Sequence, residues 1–240
     1  CTGMTCNNCP QAAEIAEELK GIYGDQLIVV AVHMVDGFAA PVPPLNDGLF
    51  DTDFRTPAGA AYEQAFNITS LPKGLVSRAP FENAVALSRT KWSSAVAAII
   101  GQEADFKLWF DTLGFNAGTN TVNLTVKALC TKAITGDHNL TIYLTEDSVI
   151  DDQLNLEVDP PTVENYVHRH VLRDNLNGTW GEPILTGSAN AGDTLSLSYT
   201  YTLSANVLDP ANCALVAYVH PAAGADARVV KQAEEAKLIP

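Results

Sequence analysis

Cys6-Asn7-Asn8-Cys9-Pro10-Gln11-Ala12-Ala13-Glu14-Ile15-Ala16-Glu17-Glu18-Leu19-Lys20-Gly21-Ile22-Tyr23 decides how this chain is read. Ala13, Ile15, Ala16, Leu19, Ile22 and Tyr23 recur at helical spacing, Pro10 suits the first turn and Gly24 the stop, so a helix is expected over 10–23. It starts at a Cys-x-x-Cys pair. A sulfur at that place faces the unsatisfied amides and the positive end of the helix, which stabilises its thiolate and makes it a nucleophile. Cys6 would attack and Cys9 would resolve. The same two residues can instead close a static disulfide in an oxidising compartment, and spacing does not choose between the two. A zinc set of Cys1, Cys6, Cys9 and His33 has suitable ligand types, but the second closely spaced pair of most structural zinc sites is missing.

Working outward, Leu27-Ile28-Val29-Val30-Ala31-Val32 is a short β-branched run that reads as a strand buried on both faces, with His33 at its end and able to modulate the Cys6 thiolate. Residues 36–57 are broken by Pro41, Pro43, Pro44, Gly37 and Gly48 and carry Phe38, Phe50 and Phe54. So long a connection is expected to be functional, either recognising a peptide, glycan or partner surface through those aromatics or packing them down as a lid. Helices are expected over 58–66 and 91–102, and a strand over 74–78 preceded by Leu71-Pro72. The order of helix, strand, helix, strand, helix after a Cys-x-x-Cys is that of a thioredoxin-like domain. In that fold a proline before a strand is commonly cis and lies against the dithiol, which makes Pro72 the candidate substrate-docking residue. Arg78 is either a surface arginine or orients the loop after the proline through a carboxylate.

The pattern changes near 111–120. Runs at 121–130, 139–145, 166–173, 194–203 and 213–220 alternate or are β-rich, with turn residues between them. In Leu195, Leu197, Tyr199, Tyr201 and Leu203 one face is apolar, while Ser196, Ser198, Thr200 and Thr202 form the other. Strands without intervening helices argue for a sandwich. The expected fold class is therefore α/β plus all-β, a thioredoxin-like domain over 1–112 followed by an antiparallel β-sandwich over 118–240. His168 and His170, two apart on an expected strand, would share a face.

The chain has 240 residues, with 14 Lys plus Arg against 28 Asp plus Glu and a formal net charge of −14, which argues against nucleic acid as a partner. No apolar run approaches the roughly 20 residues that span a bilayer as a helix. Five cysteines, at 1, 6, 9, 130 and 213, leave at least one thiol without an internal partner. Cys130 and Cys213 are either bridged or buried apolar thiols. There is no serine-histidine-acid arrangement, phosphate-binding glycine loop or calcium loop, so no cofactor and no metal is assigned.

Several stretches resemble a known family, the Bacteroidetes cell-surface lipoproteins named for a twenty-eight-kilodalton outer-membrane protein. They are Thr2-Gly3-Met4-Thr5-Cys6-Asn7-Asn8-Cys9-Pro10, the run ending in His33, Leu71-Pro72 to Ser77-Arg78, Tyr166 to Arg173, Ala214 to His220 and Val229 to Leu238. The resemblance implies an exported protein held in the outer membrane or at the cell surface by a lipid, with the periplasm as the alternative location. It also implies a strand before residue 1 and an aromatic at position 1, so the sequence would start inside the first domain and the lipidated cysteine would lie upstream of it. Two functions follow. One is a binding or adhesion-type protein on a thioredoxin-like scaffold, with a protein, peptide or glycan ligand. The other is a thiol–disulfide oxidoreductase using Cys6 and Cys9.

Overall fold

The computed structural model describes residues 1–44 and 48–239; residues 45–47 of the aromatic loop and Pro240 at the end of the expected sandwich lie outside the described residues. In chain order the helices are α1 (Cys9–Tyr23), α2 (Asp36–Ala39), α3 (Pro57–Ala65) and α4 (Trp92–Ile100), with a 3₁₀ turn at Arg89–Lys91 leading into α4. The strands are β1 (Phe106–Asn116), β2 (Thr121–Cys130), β3 (Ile134–Thr135), β4 (His138–Glu146), β5 (Val149–Leu154), β6 (Thr162–His168), β7 (Val171–Asn175), β8 (Glu182–Leu185), β9 (Ser188–Ala189), β10 (Thr194–Thr202), β11 (Cys213–Pro221) and β12 (Gln232–Lys237).

The chain divides into two compact units, and the division is discontinuous where the sequence suggests a single cut between 112 and 118. Cys1–Val76, Pro80–Ile100 and Glu146–Arg173 make the first unit; Ser77–Ala79, Gly101–Thr145 and Asp174–Pro240 make the second.

In the first unit the helices form where local chemistry asks for them. Pro10 sits in the opening turn of α1, whose end is marked by Gly24 at φ +56°, a conformation that costs other residues more. Thr56 caps α3 by accepting from the Gly59 amide at 3.0 Å, with Pro57 next in line. The expected strand over 27–32 is a correction. Residues 27–32 are half-buried, and pairing there is confined to isolated parallel bridges, Thr2 with His33, Ala31 with Val171 and His33 with Arg55. The bracketing chain comes from three places in the sequence, each too short to make a ladder. Likewise the expected strand over 74–78 is reduced to one bridge, Gly74 with Leu87. The first unit is completed by the antiparallel hairpin β5–β6, with Ile150 opposite Val167 and Gln153 opposite Val163.

The second unit is a thioredoxin-independent β architecture of two main sheets. One has the order β1-β2-β10, all antiparallel, with Asp111 as the extra residue where the β1 register shifts. The other has β12, β11 and β4 in that order, with β8 also pairing β4. Val122, Leu124 and Val126 on β2 point into the same core as Leu140, Ile142 and Leu144 on β4 and Leu215 on β11, which is how alternation on β2 becomes a sandwich interior. Cys130 and Cys213 belong to this core as buried thiols outside any disulfide. Burial raises the Cys130 thiol pKa, as expected for an inert apolar cysteine.

β4 is buried along both faces, and the second cover is polar. Arg78 Nη2 donates to the hydroxyls of Tyr143 and Tyr218, and its guanidinium lies 5.0 Å from the Tyr218 ring centre and 5.5 Å from that of Trp180. Arg78 is thus seated among tyrosine hydroxyls and aromatic faces. Arg78→Met is expected to lower the unfolding free energy by about 2 kcal/mol through loss of these charge-assisted bonds, read as a lower urea midpoint.

Candidate functional site

Cys6 and Cys9 form a disulfide with an S–S distance of 2.02 Å and a Cα separation of 5.4 Å. The bridge takes both thiolates out of the zinc set, and among the described residues no group of three or more His, Cys, Asp and Glu is placed to hold a metal ion. Cys9 opens α1, and Asn8, its N-cap, makes no side-chain capping bond, while the first turn holds no acidic residue. The amide end of the helix beside the bridge therefore carries neither a side-chain cap from Asn8 nor an acidic residue in its first turn. A backbone turn closes the motif, the Cys9 amide donating to the Cys6 carbonyl and the Cys6 amide to that of Gly3, each at 3.1 Å.

The limb entering the motif is held from both sides. On one side the Thr5 amide donates to the Phe38 carbonyl at 3.0 Å. This approach requires Gly3, because a Cβ there would lie 2.5 Å from that carbonyl oxygen. On the other side, the Leu154 amide donates to Met4 at 2.9 Å and the Leu156 amide to Asn7 at 3.4 Å. Gln153 is buried, and its Nε2 donates to the carbonyls of Gly3 (3.3 Å), Cys6 (3.2 Å) and Leu154 (3.0 Å). Gln11 Nε2 donates to Asn155 Oδ1 at 2.7 Å, tying α1 to the same hairpin. Arg89 reaches in from the 3₁₀ turn before α4, its Nη1 donating to the Asn8 carbonyl at 3.1 Å. So held, Cys6 and Cys9 are each 3% exposed, while Asn8 between them is exposed.

Of the residues expected at the site, Cys6 and Cys9 are joined. The Leu71–Pro72 bond is cis, and the next residue, Lys73, exchanges backbone hydrogen bonds with Cys1 at 2.8 and 3.3 Å, which puts the proline beside the segment that leads to the motif. His33 is buried in an aromatic contact. Its ring stacks on Phe54 at 4.5 Å and meets the edge of His168 at 5.7 Å, and Phe54 lies 4.7 Å from His168. Phe50 and Phe54 are core residues beside Met4, Val149 and Val171, so two of the three loop aromatics pack down, whereas Phe38 is 38% exposed. His168 and His170 do not share a face: β6 ends at His168, and His170, at φ +54°, turns away so that its Nε2 meets Glu17 Oε1 at 2.9 Å. Gln153, Arg89 and Leu156 were invisible to sequence patterns, since their tie to residues 3–8 spans from 81 to about 150 positions.

The family model described as Outer membrane protein Omp28 matches residues 59–237. The chain belongs to that family. The family is one of outer-membrane proteins, and no helix among the described residues is long and apolar enough to cross a membrane. The solved structure titled HBP35 of Porphyromonas gingivalis superposes with a TM-score of 0.71 at 17% identity, covering 99% of this chain and 73% of that one. That likeness shows the fold, a thioredoxin-like region followed by an antiparallel sandwich. A domain of the outer membrane lipoprotein Omp28 from Porphyromonas gingivalis matches at 19% identity and a TM-score of 0.34, over 58% of this chain and 92% of that one. Spo0M, a sporulation control protein from Bacillus subtilis, matches at 13% identity and a TM-score of 0.36, over 57% of this chain and 49% of that one. Among curated proteins no match is found.

Proposed function

We propose that this protein exchanges disulfides with partner dithiols at the outer membrane, with Cys6 as the sulfur that bonds to the partner and Cys9 as the resolving thiol. The observation that carries this is the Cys6–Cys9 bridge closed across the N-terminus of α1, where Asn8 makes no side-chain cap and the first turn holds no acidic residue. The bonds balance as follows. A partner thiolate attacks Cys6 Sγ, the Cys6–Cys9 bond breaks, and its electron pair leaves on Cys9 as a thiolate. The partner's second thiolate then attacks its own sulfur in the mixed disulfide and expels Cys6 as a thiolate. Two electrons pass from the partner, which ends as a disulfide, to the Cys6–Cys9 pair, which ends as a dithiol after taking up two protons. Run backwards, the same steps reduce a partner disulfide.

With each cysteine 3% exposed, the partner approaches over the exposed Asn8 edge, and Pro72, on the segment paired to Cys1, is the docking residue of this proposal. Burial of Phe50 and Phe54 removes most of the aromatic surface on which an adhesion role for the 36–57 loop would rest.

Equilibration in glutathione buffers tests this, together with a Cys9→Ser variant that strands Cys6 in mixed disulfides and a Cys6→Ser control. The expected potential lies roughly between −270 and −120 mV, with adducts on Cys6 in the first variant and none in the control. A potential below about −300 mV with no trapped adduct would make the bridge a static one.

A further inference from the structure

We propose that Arg89 is a positioning residue of the dithiol, holding the Cys6 sulfur in its thiolate form whenever the bridge is open; this rests on the exchange chemistry above. The groups that fix residues 3–7 from the two flanks are the neutral backbone of Phe38, Leu154 and Leu156 and the neutral amide of Gln153. Arg89 alone among these clamps brings a full charge, and it delivers that charge to the Asn8 carbonyl, in the peptide between the two cysteines. Its place is fixed by the 3₁₀ turn Arg89–Lys91 and the start of α4, not by a flexible tail.

The surroundings make this cation count. The whole chain carries 28 acidic against 14 basic residues, a field that opposes a thiolate anywhere on the surface. α1 adds Glu14, Glu17 and Glu18, all beyond its first turn. Cys6 leaves as a thiolate in the second exchange step, so a cation beside its turn lowers the barrier to its departure; in reverse the cation raises the fraction of Cys6 present as the attacking thiolate, and in sum it favours the dithiol over the disulfide. Arg89 acts with the helix amides and touches neither sulfur.

The test uses the whole chain, fully reduced, with the Cys6 peptide followed by mass spectrometry during iodoacetamide alkylation across pH. Arg89→Gln keeps an amide donor for Asn8 and removes the charge. The midpoint of Cys6 alkylation is expected to rise by about half to one pH unit, so that at neutral pH the thiolate population falls by about 3- to 10-fold. At a pH above both midpoints the equilibrium with glutathione should move toward the disulfide by a similar factor, a potential lower by about 15–30 mV. Arg89→Lys should keep most of the wild-type midpoint, and 0.5 M salt should bring the wild type toward the glutamine variant. A merely structural role predicts instead that Gln and Lys variants lose urea stability together and leave the alkylation midpoint in place, and that result would overturn the proposal. The two proposals fail separately. Absence of trapped adducts in Cys9→Ser with the Arg89→Gln shift intact sinks exchange with protein partners and leaves the electrostatic role; trapping with no shift does the reverse.

Discussion

Arg173→Leu is expected to cost about 3–5 kcal/mol of unfolding free energy, the largest effect of any single substitution considered for this chain. Arg173 Nε lies 3.1 Å from Glu146 Oε2, and both side chains are 1% exposed. Both belong to the first unit, at the two ends of the segment that carries the β5–β6 hairpin. The guanidinium carbon also lies 5.8 Å from the ring centre of Phe54, itself 1% exposed. Two ions drawn out of water gain little net stability from each other, because the cost of drying them is of the same order as their attraction. Removing one is different, since the other keeps its full desolvation cost and loses the cation that offsets it. The pair therefore has a checkable asymmetry. Arg173→Leu and Glu146→Leu should each unfold at much lower urea concentration, and the double variant should recover most of the loss, with a coupling of several kcal/mol in the cycle. Near-additive single losses would show that the guanidinium is held by packing and not by the carboxylate.

The hairpin framed by that pair is also where sequence and structure diverge most, and the reason is physical. α1 was legible because every local signal agreed: a proline in the first turn, apolar residues at helical spacing, a glycine at positive φ after the last turn. β2 and β10 were legible because one face is buried and the other open, which writes a period of two into the residues. β5 carries Asp151, Asp152 and Gln153, which read as a polar connection, yet all three are buried. Their polarity is answered from a distance: Asp151 Oδ2 accepts from the Thr52 amide at 2.6 Å, Asp152 Oδ1 from the Asn165 amide at 3.2 Å, and Gln153 reaches Gly3 and Cys6. β1 was obscured differently, by Gly114 and polar neighbours on its outer face, where a Cβ at Gly114 would meet nothing within 4 Å. The outer face of β1 is unconstrained, so it holds no strand signal. For the same reason the Cys6–Cys9 pair is legible in the sequence and its supports are not. The two cysteines lie three positions apart, while Arg89 and Gln153 are brought to their turn only by the tertiary fold.

Acidification from pH 6.5 toward 4 is expected to remove at least about 3 kcal/mol of stability from the first unit, through His168 and His33. His168 is 4% exposed against Phe54 and Tyr166, and burial holds its pKa down to about 4 from 6.5, opposed by the Asp151 carboxylate and a hydrogen bond with the Asp152 backbone. His33, 2% exposed, is held well below 6.5 chiefly by burial, with smaller contributions from His168, the terminal amine and Arg173. Both are bases whose folded pKa lies below the unfolded one. Between the two values the unfolded chain binds a proton that the folded chain refuses. Stability is thus fully present above pH 6.5, falls as pH drops toward 4, and levels off for each group only below its own folded pKa. Asp53, whose pKa is lowered by hydrogen bonds from Arg55, titrates in a separate, more acidic window. Within the fall of the urea-derived stability between pH 7 and 5, His33 and His168 should together contribute about 2.7 kcal/mol per pH unit once both imidazoles are protonated in the unfolded chain. His168→Phe, which keeps a ring against Phe54 and cannot take a proton, should reduce that slope by one proton. An unchanged slope in this variant would mean that His168 is already charged in the folded protein, with Asp151 outweighing burial. The His33–Phe54–His168 cluster would then be an ion-paired site and not the dry aromatic contact that its geometry indicates.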